Sequence, residues 1–393
     1  MEANQFLEQY LVNRKGTDCL KWDDLGAQFG EPDLIGMWIA DAEFKTCDEI
    51  LDALIERTRH GVFGYAKEPE GYYEAFSDWM ERHHNWPVNQ EWIRFSTGVV
   101  TAIAWSILAF TKPGDACMIL TPVYYPFHNV VTYNDRRLVA VDLDYHDGYF
   151  TMDFEAIEEA IVKNDVKIFL LCSPHNPAGR VWTEEELEKV MDICRKHDVL
   201  IVSDEIHQDI ILSGQSFIPA ALIGSGKYND HLIVLSSASK TFNLAGLVHS
   251  HIVIPDPELR HRYDEFARGV NRTSLNIPGM TAAMAGYRYG DDWLDGMLKV
   301  IEDNDDYLRT TLAERAPEIT VCCLEGTYLV MLDLRKVVSK ENIRHFVQDQ
   351  CRLAVDYGEV FGENYEGFIR LNLATDPKYV HQAVNNILNE LGR

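Results

Sequence analysis

The chain has 393 residues, and 36 Lys plus Arg against 62 Asp plus Glu give it a formal net charge of −26. So acidic a balance argues against a protein that binds nucleic acid or an anionic membrane surface, since both need a basic face. Hydrophobic residues make up 46% of the chain and charged residues 25%, which excludes a disordered chain and predicts a globular protein with a large core.

The N-terminal region gives no sign of export. The first 16 residues are polar and lack the apolar segment of a secretory signal, and the most apolar stretch, at 99–110, is too short for a membrane helix. The eight cysteines contain no C-x-x-C pair, so we expect buried free thiols rather than a zinc site or disulfides. We therefore expect a cytoplasmic protein.

Between about residues 90 and 255, short apolar runs alternate with helical patterns. Buried strands are predicted at 93–96, 117–121, 138–142, 167–173, 200–204, 232–236 and 251–254. Helices are predicted at 154–163 and 183–197, and the second opens with Thr183 and Glu186 in a capping box. This alternation predicts an α/β fold with a mainly parallel sheet and helices on both faces, a three-layer α/β/α domain.

After about residue 285 the pattern changes to that of a smaller α+β domain. It predicts a helix at 291–315, an apolar segment at 320–333 broken at Gly326, a helix from about Ser339, a strand at 368–372 and a last helix begun by Asp376-Pro377. We place the large domain at 49–285 and the small domain at 286–393. The N-terminal segment 1–48 is expected to join the small domain.

Ligands of open α/β sheets bind at the carboxyl ends of the strands, so the loops after the predicted strands are the candidate sites. The first such loop is 97–101, where Gly98 precedes an apolar helix. Free backbone N–H groups at a helix start suit a phosphate, although an ordinary strand-to-helix turn explains this segment equally well. Neither a Walker loop nor a G-x-G-x-x-G pattern is present.

Two further loops carry polar residues in unusual positions. Asn176 lies between two prolines, which fix the direction of its amide, although a plain turn explains an Asn-Pro pair as well. Asp204 ends an apolar run, where its burial is costly unless it meets a cation or a donor. Together with Glu205, His207 and Asp209 it could instead bind a metal, but no second His cluster supports that, and we predict no metal.

The fourth loop contains Lys240 within a patch of hydroxyl residues. Burial there lowers the pKa of a lysine and makes its amine nucleophilic. Ser237-x-x-Lys240 matches the S-x-x-K of serine acyl enzymes, but the S-D-N and K-T-G elements of those enzymes both fail at their third residue. A Schiff base to pyridoxal phosphate uses all four loops, as a phosphate cradle, an amide for the ring hydroxyl, an acid for the ring nitrogen and the lysine.

The chain resembles the fold-type I pyridoxal-phosphate enzymes of the class-I/II aminotransferase family, and among them the cystathionine β-lyase or C–S lyase subgroup. The similarity spans nearly the whole length, with its main segments at 37–41, 63–65, 97–101, 122–127, 173–179, 203–207, 236–247 and 368–373. It implies the aminotransferase-like fold, pyridoxal 5′-phosphate as the cofactor and a homodimer with shared sites.

The resemblance also implies roles for individual residues. Lys240 would bind the cofactor covalently and move the Cα proton, while Asp204 would keep the pyridine nitrogen protonated. The other expected cofactor contacts are Gly98, Val99, Val100, Tyr124, Asn176, His207, Ser237, Ser239 and, from the neighbouring subunit, Tyr65. Arg370 would clamp the substrate α-carboxylate, Ala40 would border the substrate, and Tyr125 would act close to it. Taken alone, Tyr65 and Tyr124 would be assigned to core or interface, and Arg370 to a surface ion pair.

Two departures from the family pattern matter. Many aminotransferases have a phosphate-binding Arg eight residues after the lysine, where this chain has Val248; the C–S lyase subgroup lacks that Arg as well. The subgroup usually reads Ala-Asp-Met-Asp-Phe near its N-terminus, whereas residues 40–44 here read Ala-Asp-Ala-Glu-Phe, next to the substrate site.

The expected reaction is therefore the α,β-elimination of a sulfur amino acid, cystathionine or cysteine, to pyruvate, ammonia and a thiol. The alternatives are transamination by the same residues, and a pyridoxal-phosphate protein with an added regulatory binding role.

Overall fold

The computed structural model describes residues 1–270 and 275–393, so four residues of the predicted 49–285 domain lie outside the described chain. The α-helices are α1 Ala3–Tyr10, α2 Leu20–Asp23, α3 Leu25–Phe29, α4 Asp48–Arg59, α5 Tyr72–His84, α6 Val99–Phe110, α7 Pro126–Thr132, α8 Phe154–Asn164, α9 Glu184–Lys196, α10 Ala238–Thr241, α11 Pro257–Gly269, α12 Ile277–Tyr289, α13 Asp291–Arg315 and α14 Pro377–Glu390. The strands are β1 Ile35–Gly36, β2 Ile93–Ser96, β3 Ala116–Thr121, β4 Arg137–Asp142, β5 Asp144–His146, β6 Tyr149–Thr151, β7 Val166–Cys172, β8 Leu200–Asp204, β9 Leu232–Ser236, β10 Ser250–Val253, β11 Thr320–Val321, β12 Leu329–Asp333, β13 Leu353–Ala354, β14 Asp356–Tyr357 and β15 Phe368–Asn372.

A seven-stranded sheet forms the centre of the molecule, in the order β2-β10-β9-β8-β7-β3-β4. Its strands are parallel except β10, which is antiparallel to both of its neighbours. Each of the seven strands predicted from the sequence is present, with ends displaced by at most one residue. The predicted α/β fold with a mainly parallel sheet is confirmed.

Helices cover both faces of this sheet, and consecutive strand residues therefore enter different cores. In β8, Ile201 packs into one apolar cluster and Val202 into the other. Both faces of the strand are thus buried, which explains why its sequence is an unbroken apolar run rather than an alternating one. Helix α9 begins with the predicted capping box, in which Thr183 Oγ accepts from Glu186 N and the Glu186 carboxylate accepts from Thr183 N.

The C-terminal part contains an antiparallel sheet in the order β11-β12-β15-β14. Strand β1 pairs with β13, and α1 packs against α13 through Phe6 and Trp293. The division into domains at 48 and 285 stays a prediction.

The helix predicted from Ser339 is wrong in type, because a 3₁₀ turn at Lys340–Asn342 is followed by a π-helix at His345–Gln350. The apolar spacing fixes which residues, here Phe346 and Val347, face the core, but it does not distinguish one helical hydrogen-bond pattern from another.

The sequence also led us to expect buried free thiols and no stretch long enough for a membrane helix. All eight cysteines are free, and seven of them are buried. Within the described ranges, no helix is both long enough and apolar enough to cross a membrane.

Candidate active site

A cavity of about 190 Å³ opens at the carboxyl ends of β7, β8 and β9. The cavity is lined by Ala40, Thr97, Gly98, Val99, Val100, Thr101, Tyr124, Phe127, Cys172, Asn176, Asp204, Ile206, His207, Ser239, Lys240, Ala245 and Val248. All the residues predicted for the site line this cavity except Tyr65, Tyr125, Ser237 and Arg370. The four loops identified in the sequence thus converge on one place, at the edge of the sheet where ligands of such folds bind.

Lys240 lies in the short helix α10, directly after β9. Its Nζ donates to the backbone oxygen of Ala40 at 2.6 Å. Burial lowers the pKa of the amine to about 8, against the opposing effect of Asp41 and Asp204, while Arg370 acts in the same direction as burial. An appreciable fraction of the amine is therefore neutral and nucleophilic near neutral pH.

Asp204 is the last residue of β8 and is buried. In the described chain the only hydrogen bond to its side chain comes from Ile206 N, at 3.1 Å from Oδ1. Burial raises its pKa to about 7. A buried carboxylate without a cation is costly, and the protonated nitrogen of a pyridine ring would supply one, so this residue fits the cofactor that the sequence implies.

Asn176 and His207 offer hydrogen-bond donors to the same cavity. Asn176 Oδ1 accepts from Arg370 Nη1 at 3.0 Å, which leaves the N–H groups of the amide without a partner among the described residues. His207 Nδ1 is buried and also lacks a partner there. Burial, with Lys240 and Arg370 adding to its effect, holds the pKa of His207 well below its usual value, so the ring is neutral and has one N–H to donate.

The predicted phosphate cradle is formed by the start of α6 together with Ser239. Gly98 has φ +106°, and a Cβ built on it would meet no atom within 4 Å, so the space in front of the helix start is open. The backbone N–H groups of Val99 and Val100 belong to the first turn and have no partner within the helix. These groups fit a phosphate.

Ser237 lies behind this cradle. Its Oγ accepts from Ser239 N at 3.1 Å and donates to His249 O at 2.6 Å. The hydroxyl thus caps α10, and its direct contact with the phosphate stays a prediction. It makes no hydrogen bond to the amine of Lys240, so the serine acyl-enzyme interpretation lacks the contact between nucleophile and base that it needs.

Arg370 lies in β15 and is buried, so its default assignment to a surface ion pair is wrong. Its Nη2 donates to Trp38 O at 3.0 Å and to Asp356 Oδ2, and its guanidinium lies 4.8 Å from the Phe361 ring centre. These contacts hold the guanidinium in one orientation, as the clamp for a carboxylate requires.

The sequence did not reveal two residues of this region. Asp356 reaches Arg370 from the neighbouring strand β14, and the hydroxyl of Tyr328 donates to Ala40 O at 2.9 Å, the same oxygen that Lys240 contacts. Neither belongs to a recognisable motif, because each is brought to the site by strand pairing or by contacts between distant segments.

Three predicted aromatic residues differ in exposure. Tyr124 lines the cavity, Tyr125 is partly exposed at 45%, and Tyr65 is fully exposed. Their roles stay predictions.

As for the metal alternative, no group of three or more His, Cys, Asp or Glu in residues 1–270 and 275–393 is arranged to hold an ion.

Val248, which stands where many aminotransferases have an Arg, has φ +42°. A β-branched residue is strained in this left-handed conformation, which Asn adopts more readily. We expect Val248→Asn to stabilise the protein by about 1 kcal/mol in urea unfolding. A matched Val360→Asn change, at a residue of similar exposure with ordinary φ, should bring no gain. Equal effects of the two changes would contradict strain at position 248.

The lowered pKa of Lys240 predicts a pH dependence for cofactor binding. An amine attacks an aldehyde only when neutral, so the rate at which the cofactor-free protein takes up pyridoxal 5′-phosphate should rise as the pH rises through about 8 and then level off. An ordinary lysine would show this rise near pH 10.4. Stopped-flow absorbance of the bound cofactor measures the rate; an increase that continues to about pH 10 would contradict the lowered pKa.

The chain is similar to known proteins in both sequence and fold. Residues 32–387 match the model of the family "Aminotransferase class I and II". The chain is 37% identical to cystathionine beta-lyase PatB of Bacillus subtilis, over 91% of this chain and 93% of that protein. It superposes on cystalysin of Treponema denticola, which contains pyridoxal 5′-phosphate, with a TM-score of 0.92 and 34% identity over 97% of both chains.

A second solved structure, the pyridoxal-phosphate-bound C–S lyase of Staphylococcus hominis, has a TM-score of 0.90 and 31% identity, covering 98% of this chain and 97% of that one. The match thus extends over nearly the whole chain, in sequence and in fold. The protein belongs to the class I and II aminotransferase family.

Proposed function

We propose that this protein is a pyridoxal-phosphate-dependent carbon–sulfur lyase, which releases a thiol from a sulfur amino acid and leaves pyruvate and ammonia. The observation that carries the proposal is the convergence of Lys240, Asp204, Asn176 and the Gly98 helix start on one cavity. The relatives named cystathionine β-lyase and C–S lyase, which match nearly the whole chain, support the type of reaction.

When bound, pyridoxal phosphate withdraws electrons from the amino-acid Cα, which is the chemistry that no side chain supplies. The helix start at Gly98 and the Ser239 hydroxyl hold its phosphate. Asp204 gives the pyridine nitrogen an anionic partner, while Asn176 and His207 donate to the oxygen on the ring. The hydrogen-bond types of these residues match the three polar parts of the cofactor.

Lys240 then acts as the base that takes the Cα proton. When the amine of Lys240 is not bound to the cofactor, it can donate a hydrogen bond to the backbone oxygen of Ala40. Arg370 fixes the α-carboxylate, and this orientation selects the bond at Cα that breaks. The sulfur leaves from Cβ, and the proton that Lys240 has taken is available to convert the departing thiolate into a thiol.

The substrate class is tested by incubating the loaded enzyme with cystathionine and, separately, with cysteine. We expect stoichiometric pyruvate, together with homocysteine from cystathionine or sulfide from cysteine. Transamination would instead consume an added keto acid and form no pyruvate from the substrate. A protein that exchanges amino groups with keto acids but releases no thiol would overturn the lyase assignment.

The proposal includes a homodimer in the cytoplasm, with Tyr65 reaching the phosphate of the neighbouring site. The supporting observation is that Tyr65, Val62 and Phe63 are all largely exposed on one loop. Light scattering gives the mass, and Tyr65→Phe should weaken retention of the cofactor without changing that mass.

A further inference from the structure

The carboxylate of Asp356 contacts the guanidinium that we assign to the substrate. Strand pairing places Asp356 opposite Arg370, and Asp356 Oδ2 accepts from Arg370 Nη2. No other described group donates a hydrogen bond to this carboxylate. Its side chain is 18% exposed, whereas that of Arg370 is 3% exposed, so the aspartate can turn toward solvent while the arginine stays in place.

The hydrogen bonds of Arg370 leave no free edge for a second carboxylate. A guanidinium binds a carboxylate with two parallel N–H groups, either from Nε and Nη2 or from Nη1 and Nη2. Both edges use Nη2, whose two hydrogens go to Trp38 O and to Asp356 Oδ2. Nε has no partner among the described residues. One edge of the guanidinium is thus occupied by the backbone oxygen of Trp38, and the other by the carboxylate of Asp356, which is able to move.

We propose that Asp356 occupies the position of the substrate α-carboxylate on Arg370, and that the substrate displaces it on binding. This inference rests on the proposed function of Arg370 and deepens it. Asp356 keeps the buried guanidinium paired while the site is empty, and its negative charge lowers the affinity for the incoming carboxylate. Asp356 is therefore a residue that sets the strength of substrate binding.

A simple orienting role for Asp356 makes the opposite prediction. If Asp356 only held Arg370 in place beside a bound substrate, its removal would weaken carboxylate binding. If it competes with the substrate, its neutralisation strengthens binding, because the substrate no longer displaces an anion and no longer meets a like charge.

The experiment measures the binding of L-alanine, which has an α-carboxylate but no leaving group, to the loaded enzyme by cofactor absorbance and by calorimetry. L-alaninamide, which lacks the carboxylate, is the matched ligand. For Asp356→Asn we expect the Kd of L-alanine to fall by about tenfold, the order expected for removing one nearby like charge, with the Kd of L-alaninamide unchanged. Asp356→Ser should behave alike.

Asp333→Asn is the control variant, because Asp333, in strand β12 of the same small sheet, also pairs with an arginine, Arg335, at 2.8 Å. It should leave both Kd values unchanged. An unchanged or higher Kd of L-alanine in Asp356→Asn or in Asp356→Ser would overturn the inference. If the wild-type protein bound L-alanine and L-alaninamide equally, the role of Arg370 in the proposed function would fail instead.

Discussion

Replacing Lys240 by alanine is expected to abolish the covalent attachment of pyridoxal phosphate and to lower kcat for pyruvate release by more than about 10³-fold. In the proposed function the amine both binds the aldehyde and takes the Cα proton, so one change would remove two functions. Mass spectrometry after borohydride reduction measures attachment directly. The wild-type chain should gain the mass of the reduced cofactor, and the variant should not.

Lys240→Arg separates the role of the charge from that of the amine. The arginine keeps a positive charge in the cavity but does not lose its proton, so it neither attacks the aldehyde nor acts as a base. We expect it to be as inactive as the alanine variant. Retained pyruvate release in either variant, from protein freed of wild-type enzyme, would show that Lys240 is not the catalytic lysine.

The central sheet could be predicted from the sequence almost residue by residue. Most of its strands are short apolar runs, and several are bounded by Gly, Pro or Asn, so local signals suffice to predict them. The loop positions of Gly98, Asn176, Asp204 and Lys240 follow from these strand ends, because parallel strands bring their carboxyl ends to one edge.

The parts of the site that depend on distant segments could not be predicted in this way. Asp356 is placed by its register with Arg370, and Tyr328 by a contact with the oxygen of Ala40, almost 300 residues away in the chain. The first pairing is set by strand register within the C-terminal sheet, and the second by how that sheet packs against the N-terminal segment. No local sequence pattern encodes either of them. The family resemblance supplied Arg370 itself, but not the carboxylate that pairs with it.

The acidic composition is compatible with an anionic cofactor because the charges near the cavity are arranged locally. Lys240, Arg370 and the start of α6 provide positive potential, while Asp204, in the proposed function, would face the one part of the cofactor that carries a positive charge. The backbone N–H groups of α6 would take the place of the Arg that is absent at Val248. The net charge of −26 therefore says little about the potential inside the site.

Asp204→Asn is expected to have opposite effects on activity and on the stability of the cofactor-free protein. With the cofactor, the loss of the anion beside the pyridine nitrogen should lower kcat by about 10²- to 10³-fold. Without it, burial raises the pKa of Asp204 to about 7, compared with about 3.9 for an unfolded chain, so ionisation of this carboxyl opposes folding. The variant should therefore be the more stable protein, by up to about 4 kcal/mol at pH 8, since a difference of one in pKa corresponds to about 1.4 kcal/mol.

The pH dependence of this gain follows from the sign of the shift. A carboxyl whose pKa is raised by folding costs nothing while it is protonated in both states, so the two proteins should be equally stable below about pH 4. The wild type should lose stability relative to the variant between about pH 4 and 7, and the difference should then stay constant. Urea unfolding of both cofactor-free proteins across this range measures the difference.

Asp209→Asn provides the matched control, because Asp209 is also buried but accepts hydrogen bonds from His84, Thr241 and Trp79, at 2.7, 2.6 and 3.0 Å. Burial alone would raise the pKa of Asp209, but these hydrogen bonds outweigh it and lower the pKa, so the ionised form is favoured by folding. Its neutralisation should therefore destabilise the protein at pH 8. Asp204 ends strand β8 and Asp209 lies in the loop after it, but they differ in their partners. Asp209 has three donors within the chain, whereas the Asp204 side chain accepts one hydrogen bond, from Ile206 N, and forms no ion pair among the described residues. A loss of stability in both variants would show that Asp204 also has its partner within the protein, and would remove the main argument that it is reserved for the pyridine nitrogen.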